Sequence, residues 1–240
     1  TQSAYVSGNI RDNKDGSLST DKLNDTYRLS IDDGRGSIDW DAFVDAPYFP
    51  SYAKIESAQE AYKSVLSDVG ANLPLSDDTD RRVIKETLER SYTYVGSKSG
   101  IRGEIDNEKD AGGYELYPEE MRPADFDTDL DGLPDWWEEI NGSNVNSAAG
   151  DYSDSHADNN NDGFSALEDY LAFMASPNKI LKPGEVTDID LKAMFAGYTQ
   201  PPMYTVDDPQ SISHISGSKL TIAAPSQIGI YPITLTVTDG

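Results

Sequence analysis

Two stretches of this sequence set oxygen-bearing side chains at the same intervals. Asp127, Asp129 and Asp131 alternate with Thr128 and Leu130, and Gly132 follows. Thirty-one residues later Asp158, Asn160 and Asp162 alternate with Asn159 and Asn161, and Gly163 follows. Such side chains offer only hard oxygen donors, which suit a hard divalent cation. A twelve-residue loop around calcium takes its ligands from positions 1, 3, 5, 7, 9 and 12, with a sharp turn at a glycine in position 6. In the first stretch those places hold Asp127, Asp129, Asp131, the Leu133 carbonyl, Asp135 and Glu138, and Pro134 suits the first turn of an exit helix. In the second they hold Asp158, Asn160, Asp162, the Phe164 carbonyl and, at position 12, Asp169. Ala166 at position 9 leaves that place to water, so the second loop is expected to bind more weakly. Acids scattered over a soluble surface would not repeat one register twice. The spacing therefore predicts two calcium loops of the EF-hand or dockerin-like kind.

What the metal would do follows from the flanks. Without it, the first loop crowds five carboxylates together, and their repulsion opposes folding. A calcium sensor needs a helix on each side of its loop. Pro123 before the first loop and the Ser-, Asp- and Gly-rich texture before Asp158 argue against entry helices, whereas Leu167, Tyr170, Leu171 and Met174 recur at helical spacing after the second. A structural calcium is the expectation.

Other candidate groups carry less. Trp136 and Trp137 could stack on sugar rings, but adjacent tryptophans opening a helix more often bury a ring. His156 and His214 stand singly and read as structural or surface residues. Asp106, Asp110, Glu119 and Glu120 could pair as a catalytic acid and base only if the fold brought them together. No catalytic residue is assigned.

Composition narrows the partners. Against 19 Lys and Arg stand 43 Asp and Glu, a net charge of −24, which repels nucleic acid. Cysteine is absent, so disulfides and thiolate zinc sites are excluded. No apolar run approaches the ~18 residues of a membrane span. The chain opens and closes within strand-like sequence, and both ends read as cuts through a longer polypeptide.

The elements that must position the loops give a mixed α and β, multi-segment fold. Residues 1–56 read as an irregular β and loop region. Residues 57–126 hold two helices and an irregular connection. The first helix is opened by a Ser57–Glu60 capping box, with Ala61, Tyr62, Val65, Leu66 and Val69 on one face before Gly70. The second spans Asp80 to Ser91, with Val83, Ile84 and Leu88 inward. Residues 127–176 form the paired calcium-loop segment. Residues 180–240 alternate in Val186–Leu191, Pro202–Val206, Lys219–Ala223 and Tyr231–Val237, the period of half-buried strands, and predict part of an immunoglobulin- or cadherin-like β-sandwich.

The order of these features resembles the C-terminal region of secreted pectate lyase-like proteins of Bacteroidetes and related bacteria. Ala61–Ala71 with Leu73-Pro74, then Asp77–Ile84, Asp110–Tyr114 and the Leu167–Leu171 run carry the resemblance, and Tyr5–Asn9 looks like a last coil of that family's parallel β-helix. The family's Asp-Asn-Trp-Asn-Gly-Gly stretch is not recognisable between Asp21 and Trp40. The resemblance implies a secreted or cell-surface bacterial protein whose parent cleaves plant or algal polyuronate by β-elimination, this region being its non-catalytic, calcium-binding tail. The family's catalytic residues lie on earlier coils, so none is carried over. A dockerin-like or carbohydrate-binding module, attaching an enzyme to a partner or polysaccharide, is the alternative.

Overall fold

The computed structural model describes residues 5–13, 15–20, 43–70, 76–117, 119 and 121–239. The chain divides into two compact units, Thr1–Ser67 and Asp68–Gly240, and it mixes α-helices with antiparallel sheets.

In the first unit, β1 (Arg11–Asp12) and β2 (Leu18–Ser19) form an antiparallel hairpin. Its turn is held by Asp15, whose carboxylate accepts from the N–H and hydroxyl of Ser17 at 2.9 and 2.6 Å. Tyr5–Asn9 contains no strand, and every ladder between described strands is antiparallel. Asp21–Trp40 and Leu73-Pro74 lie outside the described residues. Helix α1 (Ala58–Ser67) begins with the expected capping box: Glu60 accepts from the Ser57 N–H at 3.0 Å, and Ser57 Oγ accepts from the Glu60 N–H at 3.2 Å. Of its apolar face Leu66 is buried, while Tyr62, Val65 and Val69 are exposed.

In the second unit, α2 runs over Asp78–Glu89, two residues ahead of the expected start. The reason is the cap: Asp77 accepts from the Asp80 N–H at 2.7 Å, closing the first turn before the acids are used up. Arg90 ends it at φ 49°. Ile84 and Leu88 are half-buried, whereas Val83 is exposed. A short 3-10 turn, Glu108–Ala111, is the one helical piece in the connection that follows, among the described residues.

Helices α3 (Asp135–Asn141) and α4 (Ala166–Ala175) each leave one acidic loop. Neither loop is preceded by a helix. The two helices meet in a small aromatic core of Leu133, Trp137 and Tyr170, flanked by Trp136, Leu167, Phe173 and Met174. Leu171, expected on the inner stripe, points to solvent instead, and Phe173 takes the place in the core.

Beyond them two antiparallel sheets form. In one, β3 (Val186–Asp190) and β5 (Ser213–Ser216) flank β6 (Lys219–Ala223); in the other, β4 (Pro202–Asp207) pairs with β7 (Thr234–Asp239). Strand β3 stops one residue short of the expected Leu191. There Asp190 accepts from the N–H groups of Lys192 and Ala193 and caps the single turn α5 (Leu191–Met194). Leu191 and Leu220 are fully buried. Strand β5 carries no alternating apolar run, so only its pairing with β6 reveals it.

Candidate metal centre

The first loop is built from its own backbone. Asp127 accepts from the Gly132 N–H at 3.1 Å, Asp131 accepts from the Leu133 N–H at 2.8 Å, and the Asp135 N–H donates to the Phe126 carbonyl at 2.9 Å. Gly132 makes the turn at φ 100°, a conformation that a side chain strains. Pro134 stands one place ahead of the expected first helical turn, as the residue before α3, where its lack of an N–H costs nothing. Glu138, one turn into α3, then faces the loop.

This arrangement brings Asp127, Asp129 and Asp131 together, with one oxygen of each within 4.8 Å of the others. Asp129 is 5% exposed, Asp131 3% and Glu138 0%. Each aspartate uses one oxygen on a backbone N–H and leaves the other without a partner: Asp127 Oδ1, Asp129 Oδ1 and Asp131 Oδ2 are buried and unbonded, as are both Glu138 oxygens. Buried carboxylates in that state are expensive, because each loses its hydration without receiving a donor. Their titration registers the strain. Burial, then the charges of Asp129 and Asp131, push Glu138 up to about 7, and burial likewise raises Asp131. A cation among these oxygens would remove both costs. The converging oxygens of Asp127, Asp129 and Asp131 constitute a donor set for a hard metal ion, and Glu138 stands beside that group rather than within it.

Asp135 is placed differently from the expected ligand at position 9. Its two oxygens accept from the N–H and hydroxyl of Thr128 at 2.7 and 2.6 Å, so it staples the loop shut. The second loop repeats the backbone. Asp158 accepts from the N–H groups of Asp162 and Gly163, each at 3.1 Å, and Asp162 accepts from the Phe164 N–H at 2.9 Å. Its surroundings differ. Asp158, Asn160 and Asp162 are exposed, and the Asn160 amide donates to Asp162 at 2.9 Å and to Asp169 at 3.3 Å. The Asn160 amide thus stands between the two carboxylates that a cation would join. A capping box, Ser165 with Glu168, opens α4 and uses the acid next to Asp169.

The remaining candidates have structural roles. Trp136 and Trp137 lie edge-on to each other at 5.8 Å, and both pack on Tyr170 and Phe173. Their rings serve the aromatic core. Asp106 accepts from the N–H groups of Lys98 and Ser99, and Asp110 from those of Ser97 and Asp106. These donors hold Asp110 down to about 2, so neither acid is a proton donor near neutrality. Glu120 lies outside the described residues. His156 stacks on Tyr152, and His214 lies on β5.

Nothing in the residue pattern singles out the segment between the loops, yet it packs against the first one. The Ser147 N–H donates to Asp129 at 2.9 Å, Ser155 is fully buried beside Asp131, and Asp154 adds its charge to the field at Glu138. Its Ser- and Asp-rich composition gives no sign of this. No protein-family model, curated protein or solved structure matches the chain.

Proposed function

We propose that this protein binds calcium, that the loop Asp127–Glu138 is its tighter site, and that the ion is structural. The observation that carries the reading is the set of five buried carboxylate oxygens without hydrogen-bond partners. Calcium suits them better than magnesium. Both Glu138 oxygens are free to bind together, a bidentate carboxylate is characteristic of calcium loops, and magnesium retains waters and a strict octahedron. Asp127, Asp129, Asp131 and Glu138 would hold the ion, with the Leu133 carbonyl at position 7. Asp135 would act through its bonds to Thr128 rather than directly. The second loop, with Asp158, Asn160, Asp162, the Phe164 carbonyl and Asp169, would take a second ion once the Asn160 amide turns away from its carboxylates.

A structural role is supported by the missing entry helices, since no second helix is there to swing. In the wider setting, the chain is a non-catalytic, calcium-stabilised region of a secreted pectate lyase-like protein, and its two C-terminal sheets are part of an immunoglobulin-like sandwich. That part of the proposal rests on the motif order. The shared aromatic core of α3 and α4 favours a second reading, a dockerin-like module whose paired loops present one docking face. Calorimetric titration tests the first claim: two sites are expected, and Glu138→Gln should abolish the tighter. A single site that survives Glu138→Gln would refute it. Assay on polygalacturonate should give no unsaturated product, and titration with cohesin-type partners and pectin fragments decides the second reading.

A further inference from the structure

We propose that Asn144–Ser155 is a strap that closes the first cation site, with Asp154 as the positioning residue that fastens it. This rests on the calcium reading above and goes beyond it, because none of the strap's residues belongs to either loop.

The strap touches the ligands from outside. The Ser147 N–H donates to Asp129 Oδ2 at 2.9 Å, which orients the carboxylate and leaves Oδ1 directed at the other ligands. Ser155, at the strap's other end, is fully buried. The strap's own shape depends on Asp154. One of its oxygens accepts from the Asn144 N–H at 2.9 Å, a bond spanning ten residues that draws the two ends together. Its far end is pinned to the second loop: the Ser155 carbonyl accepts from the Leu167 N–H at 3.0 Å, and the Ala157 carbonyl from the Ala166 N–H at 2.8 Å.

The consequence is kinetic. Asp129, Asp131 and Glu138 are almost wholly buried and Asp127 is half-buried, so an ion among them would leave faster with the strap lifted. Outer-shell groups that orient ligands typically change metal affinity by about 10–100-fold when removed. Here the change should fall on the dissociation rate, since the strap supplies no ligand of its own.

The test uses the full chain and terbium(III), a calcium substitute whose emission Trp136 and Trp137 can sensitise. Release into excess chelator is followed by stopped flow. Asp154→Ala should accelerate release from the slow site by about tenfold or more. Asp154→Asn keeps an oxygen for the Asn144 N–H and should restore a rate close to the parent's. Equal acceleration in both variants would overturn the strap in favour of a simple charge effect, and unchanged rates in both would overturn it outright. Should Asp154→Ala fail to fold, Ser147→Pro deletes the N–H that orients Asp129 and must also accelerate release; an unchanged rate there refutes the proposal. A parent chain with no more sensitised emission than Glu138→Gln would sink the calcium reading and the strap with it. Failure of the strap alone leaves parental emission intact.

Discussion

Leu130 and Asn161, the fourth residues of their loops, lie at φ 61° and 60°, and Gly132 and Gly163, the sixth, at 100° and 98°. The backbones are copies. In the first loop, however, Asp129, Asp131 and Glu138 are buried and five carboxylate oxygens lack partners, whereas in the second Asp158 and Asp162 are open to water and the Asn160 amide bonds Asp162 and Asp169. Solvent and one amide thus satisfy the second loop without metal, and the first has neither. One local conformation can therefore hold its carboxylates buried and unpartnered or exposed and self-satisfied, according to what covers it.

The largest expected effect breaks what the loops share. Trp137→Ala removes a ring that packs on Trp136, Tyr170 and Phe173, and large-to-small changes of this kind cost about 3–5 kcal/mol. Denaturant unfolding should show that loss, and calcium affinity should fall at both loops. Loss confined to the first would mean that the helices are independent.

Acid should act on the first loop through Glu138. Folded Glu138 keeps its proton up to about 7, against an ordinary 4.5. Between those values the folded state binds more protons than the unfolded one, so stability falls as pH rises. Calcium-free protein should lose roughly 3 kcal/mol from pH 4.5 to 7 through this group and change little above. Glu138→Gln should flatten the profile. Calcium reverses the sense, because it needs the ionised carboxylate, and apparent affinity should decline as pH drops below 7. Calcium-free stability that rises over that window would contradict the burial of Glu138.

Metal removal should be felt somewhat less at each loop. A ligand at a hundredfold excess over Kd contributes about 2.7 kcal/mol per site, so chelation should lower the melting temperature of 127–176 strongly and of the 180–240 sheets far less. Retained helical circular dichroism with a newly exposed apolar surface would indicate a sensor instead. The smallest effect sharpens the contrast. Asn160→Asp replaces the bridging amide with a ligand and should tighten the second site several-fold, by about 1 kcal/mol, with the first unmoved. A calorimetric isotherm in which the first site shifts equally would show that the loops are coupled.

Much of this was legible in the residues. Gly132 and Gly163, the alternation of acids and the Ser57–Glu60 pair act over a few bonds, and short-range geometry follows from short-range sequence. The α4 stripe was legible too, apart from the exchange of Leu171 for Phe173. Asp135 illustrates the limit: its place in the register suits a ligand, but Thr128, close enough to compete, takes both its oxygens.

The sequence by itself determined the two loop backbones, their exit helices and a donor set made only of oxygen, because each depends on neighbours within about a dozen residues. Tertiary structure alone decided which loop holds its charges out of water. Trp137 and Tyr170 meet across thirty-three residues and Ser147 reaches Asp129 across eighteen, and desolvation of a carboxylate depends on every atom that displaces water from it, however distant along the chain.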